Sequence, residues 1–267
     1  MSQGFRGEVV DFYHRYRRGY PDAVVRRLVD AFALGPDDTV ADVGCGTGQL
    51  TLALSGRVGA VIGLDPEADM LARARAEAGE HGVTNALWLL GGDTDMPALH
   101  AAVGDGGLAC VTIAQALHWM DHETLFARLP PLLRPGGGVA VVTNGLPLWQ
   151  QDTPWSRALN GALAEWVGHP LTARCGTDEK SRRAYRTALA DAGFTVRTRT
   201  VAYTDELSME QLVGGVYSAM SADLLPAPDR RPALTESLTR AVEAHAPFVE
   251  EVRVHLLLAT LIHEGHT

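Results

Sequence analysis

VADVGCGTGQL, residues 40–50, sets Gly44, Gly46 and Gly48 close behind an apolar run that carries Asp42. Glycine loses more conformational freedom on folding than any other residue, so such a cluster marks a place where a group must come close to the backbone. TVADVG reads as a short buried strand, the glycines as a loop, and QLTLALSG as the start of a helix. The same alternation continues downstream. VIGLD (61–65) is a second apolar strand, followed by Pro66, which suits the first turn of a helix, and by EADMLARARAEAGEHG, a helix that ends in glycine. ALWLLGGD reads as the third strand and LACVTIAQALHWM contains the fourth. DHETLFARLPPLLRPGG is a helix whose prolines break up its far end, and GVAVVTNG is the fifth strand. Strands alternating with helices of this length predict an α/β fold with helices on both faces of a parallel sheet.

The rhythm changes after Gly145. Residues 146–192 read as mostly helical, with Trp149, Trp155 and Trp166, and FTVRTRTVAYT alternates like a strand. A second helical stretch covers about 206–246 and precedes VRVHLLLATLIHE, a strand candidate whose apolar run is also compatible with helix. The expected architecture is a Rossmann-like, doubly wound, mostly parallel seven-stranded sheet with a helical cap from C-terminal insertions. Three parts follow: an N-terminal helical segment (1–34), where DAVVRRLVDAFAL repeats at helical spacing and stops at Gly35-Pro36; a ligand-binding core (35–145); and the cap with the last two strands (146–267), all in one compact domain.

The 267 residues are 46% hydrophobic and 21% charged, enough for a full core. A net charge of −9 argues against nonspecific nucleic-acid binding, which needs a basic surface. Cys45, Cys110 and Cys175 are odd in number and widely spaced, so neither a disulfide framework nor a zinc ribbon is readable, and a reducing, cytoplasmic setting is expected. MSQGFRGEVVDFYHRYRRGYPD has no apolar signal core and no stretch has the length of a membrane span, so no membrane association is expected. His263 and His266 read as tail.

Two ligand classes sit over a glycine turn of this kind. A dinucleotide site asks for G-x-G-x-x-G, but Gln49 stands where its third glycine would fall. Asp42 would repel a pyrophosphate and suits a cationic ligand. Asp65, ending the next strand, stands where a carboxylate accepts the hydroxyls of a ribose. A ligand with a ribose, a positive charge and no phosphate near the loop is required, and S-adenosylmethionine fits on all counts.

D42-V-G-C-G-T-G48, V-I-G-L-D65, G-G-D93 and L-R-P-G-G137 together resemble the class I S-adenosylmethionine-dependent methyltransferases, nearest the UbiE-like small-molecule branch, over about residues 10–145. The resemblance implies that Asp42 lies near the methionine end, with Gly44, Gly46 and Gly48 admitting it. It implies further that Asp65 holds the ribose, Met70 packs near the adenine, Asp93 takes the exocyclic amine beside Thr94, and Gln115 lies beside the sulfonium. GGDTDMPALH is shorter than the matching run of many relatives. YHRYRRGYP (13–21) resembles the Y-x-x-x-R-x-G-Y-P opening of the branch, which folds over the cofactor, so Tyr13 and Tyr20 are expected there. Read alone, the segment is a solvated basic helix, and Arg15, Arg17 and Arg18 also permit a phosphate-binding reading.

AQALHWMD (114–121) follows the fourth strand, whose carboxyl end faces the crevice. His118 is the first candidate for a general base, alternatively a group that orients the loop, and His14 is the second. Trp119, Tyr217 and Met220 are candidate substrate contacts, the last two within SMEQLVGGVYSAMSA, which resembles a pocket wall of the branch. His118 and His122 have helical i, i+4 spacing but no zincin glutamate between them, so no metal is expected. The expected activity is methyl transfer (2.1.1.-) to a small, apolar or aromatic molecule, in natural-product tailoring or quinone-like metabolism, by a monomer or homodimer. Cyclisation or cyclopropanation with the same cofactor and an inactive cofactor-binding scaffold are the alternatives.

Overall fold

The computed structural model describes residues 4–171 and 175–261; His263 and His266 lie outside them. At its centre β1 (Thr39–Val43) pairs in parallel with β2 (Ala60–Asp65) and β4 (Leu108–Ala114), with Asp42 level with Gly63 on one side and Thr112 on the other. β3 (Ala86–Leu90) extends the sheet beyond β2. β5 (Leu133–Asn144) extends it beyond β4, with a register shift between Leu108 and Cys110. β7 (Phe248–Leu261) then inserts antiparallel between β5 and β6 (Phe194–Leu207), giving the order β3-β2-β1-β4-β5-β7-β6. This is the expected seven-stranded, mostly parallel Rossmann-like sheet. The part of VRVHLLLATLIHE that the structure describes, residues 252–261, resolves as strand. Its Val252, Val254, Leu256 and Leu258 join one face and Leu257 and Ala259 the other, so burial on both sides produces the unbroken apolar run that obscured its period.

One face is covered by α2 (Asp22–Phe32) and α3 (Gln49–Ser55), whose Leu28, Phe32, Leu50 and Leu54 pack on Val40, Val61, Ala140 and Leu256. The other carries α5 (Met96–Val103), α6 (His122–Arg128) and α8 (Glu179–Asp191), whose Met96, Phe126 and Leu189 meet Val43, Ile113 and Val141. Each fully buried side chain of this size contributes about 1.5–3 kcal/mol relative to exposure. α4 (Ala68–Glu80) flanks β2 and β3. A separate apolar cluster joins α7 (Pro154–Val167), α9 (Met209–Tyr217) and α10 (Arg231–Val242) through Trp155, Leu159, Leu212, Val216, Leu234 and Leu238, and this is the cap.

Two segment readings are corrected. α8 lies on the sheet, not in the cap, because Tyr185, Ala188 and Leu189 complete the core under β4 and β5. α2 also belongs to the sheet and ends early, where Ala33 takes the left-handed conformation (φ 47°) and its N–H bonds Val29, so only the chain before Asp22, with α1 (Glu8–Tyr16), is free to cover the site. α5 was not anticipated; Pro97 in its first turn supports its start. Among the described residues no helix is long and apolar enough to cross a membrane.

Candidate functional site

The glycine loop is fastened to the end of β2. The amides of Gly44 and Cys45 both donate to the Leu64 carbonyl, at 2.8 and 2.9 Å, and the amide of Gly46 donates to Oδ2 of Asp65 at 2.8 Å. Oδ1 of Asp65 accepts from the amide of Glu67 at 2.9 Å, so the carboxylate is aimed by backbone on both sides. Burial is the main reason that its pKa rises to about 6; the Glu67 and Gly46 amides oppose the rise, and the charges of Glu67 and Asp42 add to it.

All three glycines have positive φ, but they make room for different things. A Cβ on Gly44 would sit 2.4 Å from Cβ of Ala116, and one on Gly48 would sit 2.9 Å from Cη2 of Trp88. Those two positions are demanded by the protein's own packing. Gly46 is the least crowded: the atoms nearest a Cβ there belong to the Tyr13 ring, the closest being Cε1 at 3.6 Å, an ordinary van der Waals contact. Cys45, in the same loop, is buried among apolar atoms and near Asp42 and Asp65, which pushes its thiol well above the ordinary range and keeps it protonated.

Asp42 is 1% exposed, and both oxygens are engaged, by the Thr51 hydroxyl at 2.6 Å and the Thr112 hydroxyl at 2.7 Å. It clamps β1 to α3 and β4 beneath the loop, and any influence on a ligand is through its field. Burial raises its pKa, against the two hydroxyl bonds.

The N-terminal segment docks over this floor. The Gly4 amide meets Oε1 of Glu67 at 3.2 Å and the Gly7 amide meets Oδ2 of Asp69 at 2.8 Å. α1 then lays Tyr13 over Gly46, with the edge of Phe5 against the Tyr13 ring (centroids 5.7 Å apart) and the Arg17 guanidinium 5.2 Å above it. Burial raises the phenol pKa of both Tyr13 and Tyr20, and each is influenced by Asp42. Tyr20 packs with the α2 face of the sheet.

Arg17 is the residue that motif reading undervalued. One of its terminal nitrogens donates to the Ser218 carbonyl at 3.3 Å, while its Nε is buried with no partner among the described residues. The i, i+4 spacing of Tyr13 and Arg17 puts both on one side of the helix end, the signal that could have found it.

Beyond the loop, β4 ends in Gln115, one of two non-glycine residues with positive φ (56°) among those described. Its amide bonds the Val142 carbonyl at 2.9 Å and its Nε2 bonds the Asn144 carbonyl at 3.2 Å, leaving Oε1 buried without a partner among the described residues. Strained backbone held by such bonds is a mark of a functional site. A tight crevice beside it is lined by Leu117, His118, Thr143, Cys175 and Tyr185. Burial, aided by the Arg17 charge, lowers the His118 pKa to about 4. His118 as a general base is therefore corrected: at neutral pH it is uncharged and a weak base. Trp119 lies beside it with the two rings tilted by 40°, centroids 4.8 Å apart, and is 52% exposed.

The remaining candidates scatter. Met70 is buried on α4. Asp93 opens a 3₁₀ turn and accepts the Asp121 amide at 3.1 Å, with Thr94 exposed next to it. His14 is corrected as a base: its Nε2 lies 3.0 Å from Oε2 of Glu77 on α4. Tyr217 is corrected as a substrate contact, because its hydroxyl bonds Thr235 (2.9 Å) and the Arg231 carbonyl (3.0 Å) and its ring packs on Phe12. Met220 likewise packs against the cap's own core.

The groups around the loop fit the adenosyl ligand expected from the sequence. The Asp65 carboxylate stands at the end of β2, Tyr13 covers Gly46, and the buried Arg17 Nε–H is available to an anionic group such as a carboxylate.

A family profile described as "Methyltransferase domain" matches residues 40–137, from β1 into β5. An uncharacterised methyltransferase of Mycobacterium tuberculosis is 30% identical over 82% of this chain and 77% of its own length. Nocamycin O-methyltransferase of Saccharothrix syringae is 31% identical over 84% of each. The YcgJ protein of Bacillus subtilis shares the fold with a TM-score of 0.57 at 17% identity, over 90% of this chain and 99% of its own. With the glycine loop fastened to Asp65 on this seven-stranded sheet, and relatives that align across the cap as well as the core, the chain belongs to the methyltransferase family.

Proposed function

We propose that this chain transfers a methyl group from S-adenosylmethionine to a small, apolar or aromatic molecule. The observation that carries the reading is the Asp65 carboxylate, aimed by two backbone amides and joined through Gly46 to the glycine loop. Asp65 holds the ribose hydroxyls, Gly46 lies against the methionine end under the lid formed by Tyr13 and Tyr20, and the Arg17 Nε–H takes the methionine carboxylate. Gly44 and Gly48 keep the loop's shape, and Asp42 supplies negative potential from beneath. Met70, Asp93 and Thr94 bound the adenine, with Asp93 accepting from its exocyclic amine, and Gln115 stands beside the reacting methyl.

When bound, the cofactor supplies an activated methyl group with a good leaving group, so the protein's share is position. Holding two reactants in line is worth an effective molarity of about 10⁵ M or more. His118, neutral through burial, faces the acceptor as a hydrogen-bonding group, and Trp119 presents an apolar wall at the mouth. With His14 committed to Glu77, the arrangement relies on positioning more than on proton removal. Nocamycin O-methyltransferase is named for a small-molecule acceptor, which supports an acceptor of that class here.

Calorimetric titration with S-adenosylmethionine and separately with NAD, on the wild type and Asp65→Ala, tests the reading. Binding of the first ligand alone, weakened by the substitution, is expected. Failure of the wild type to bind S-adenosylmethionine overturns it.

A further inference from the structure

The strip that carries Tyr13, Arg17 and Tyr20 is held in place by a charge cluster that no motif explains. Arg18, at the joint between α1 and α2, lies at an unspecified position of the Y-x-x-x-R-x-G-Y-P pattern. Its Nε is 3.2 Å from Oδ2 of Asp205, and its Nη1 is in direct contact with Oε1 of Glu250. Asp205 on β6 and Glu250 on β7 are register partners, directly opposite each other in the antiparallel ladder. Like charges in that position repel, so the sheet edge favours the pair only with a cation between them. Glu250 is 2% exposed, and a carboxylate so buried needs that partner strongly.

The second oxygen of Glu250 accepts from Nε2 of Gln151, two residues past Trp149 in the connection from β5 to α7. Glu250 is thus the point where three separate segments meet. It stands at the start of β7, which is antiparallel to β5 and so begins at the carboxyl end of the parallel strands, the end that carries the glycine loop.

We propose that Glu250, with Asp205, is a positioning residue for cofactor binding: the two carboxylates grip Arg18 and so hold Tyr13, Arg17 and Tyr20 over the glycine loop. The chain between Tyr13 and Arg18 has little slack, since the Arg17 amide closes the last turn of α1 on the Tyr13 carbonyl at 2.9 Å. A shift at Arg18 is therefore passed to both. The inference rests on the reading of the loop as the S-adenosylmethionine site.

The test compares Arg18→Met, Arg18→Lys, Glu250→Gln and Asp205→Asn with Arg134→Met, which breaks an ion pair with Asp38 elsewhere in the fold. Two quantities are read for each: the dissociation constant for S-adenosylhomocysteine by calorimetry, and Tm without ligand. Arg18→Met and Glu250→Gln are expected to weaken binding at least tenfold, Arg18→Lys to recover part of the loss, and Arg134→Met to lower Tm with affinity unchanged. Asp205→Asn removes only the more exposed half of the clamp and keeps the test open if the buried substitutions do not fold; it is expected to weaken binding severalfold. Amide hydrogen exchange in ligand-free protein, followed over residues 13–20, should speed up in the clamp variants and not in Arg134→Met. If the clamp variants lose Tm while affinity and exchange over 13–20 stay at wild-type values, the clamp is only structural and the proposal is overturned. If the wild type itself binds no S-adenosylhomocysteine, it is the site reading that fails, and exchange over 13–20 still decides whether the clamp holds this strip.

Discussion

The pH dependence of cofactor affinity is the sharpest consequence of the Asp65 geometry. Asp65 is lifted from an ordinary 3.8 to about 6, chiefly because it is buried. A ribose hydroxyl donates to a carboxylate, whereas a protonated Asp65 offers a proton where the ligand needs an acceptor. With a pKa of about 6, roughly nine-tenths of the protein carries the charge at pH 7 and roughly one-tenth at pH 5, so affinity is expected to fall about tenfold between them, or ~1.4 kcal/mol. The ligand's own amino and carboxyl groups titrate at about 8 and about 3.5, outside that window.

The same group has the opposite effect on the ligand-free fold. Its folded pKa is above its unfolded value, so the native state binds more protons between 3.8 and about 6. Its contribution to stability is fully present below 3.8 and is lost as pH rises through about 6, which leaves the neutral protein destabilised by up to about 3 kcal/mol at this site. Acid thus strengthens the ligand-free protein through Asp65 while weakening its hold on the cofactor. The assay is calorimetric titration with S-adenosylhomocysteine at half-unit steps from pH 5 to pH 7, for the wild type and Asp65→Asn. A wild-type affinity that is flat over this range, or a slope that survives in Asp65→Asn, refutes the assignment of Asp65 to the ribose.

Other outcomes follow from single side chains. His118 is held near 4 in the fold against an ordinary 6.5, so its contribution to stability is present above 6.5 and lost as pH falls towards 4. His118→Asn is therefore expected to remove up to about 3 kcal/mol of acid sensitivity, measured by urea unfolding at pH 7 and pH 4.5. Gly44→Ala combines left-handed backbone strain with a Cβ 2.4 Å from that of Ala116, and is expected to cost about 2–5 kcal/mol by the same measurement. Arg17→Met removes the charged donor proposed to meet the methionine carboxylate and should weaken S-adenosylhomocysteine binding about 10- to 100-fold in calorimetry, the loss of ~1.5–3 kcal/mol usual for a hydrogen bond to a charged group.

What the sequence makes legible here is whatever a short stretch of chain decides alone. Asp42 and Asp65 sit on or at the end of apolar strands followed by loop signals, so their places at the carboxyl end of the sheet follow from strand polarity and chain order alone. The expected order of strands holds through β5 for the same reason. Side-chain environment is set instead by segments far apart in sequence. His118 is neutral because of burial and the charge of Arg17, about a hundred residues earlier, and His14 is taken by Glu77 across the α1–α4 packing. Tyr217 lies in a stretch that resembles a pocket wall of the family, yet Thr235 and the Arg231 carbonyl on α10 claim its hydroxyl. The glycines divide along the same line: positive φ at Gly44 and Gly48 is a local property, but the clashes that forbid a side chain there come from Ala116 after β4 and Trp88 on β3. A motif read as three equivalent glycines admitting a ligand is therefore two that fit the loop between its neighbouring strands and one, Gly46, that meets only the ring of Tyr13 laid over it. Gly46 is also the glycine that Asp65 holds by its amide, so the carboxylate at the end of β2 that is proposed to meet the ribose orients the loop as well.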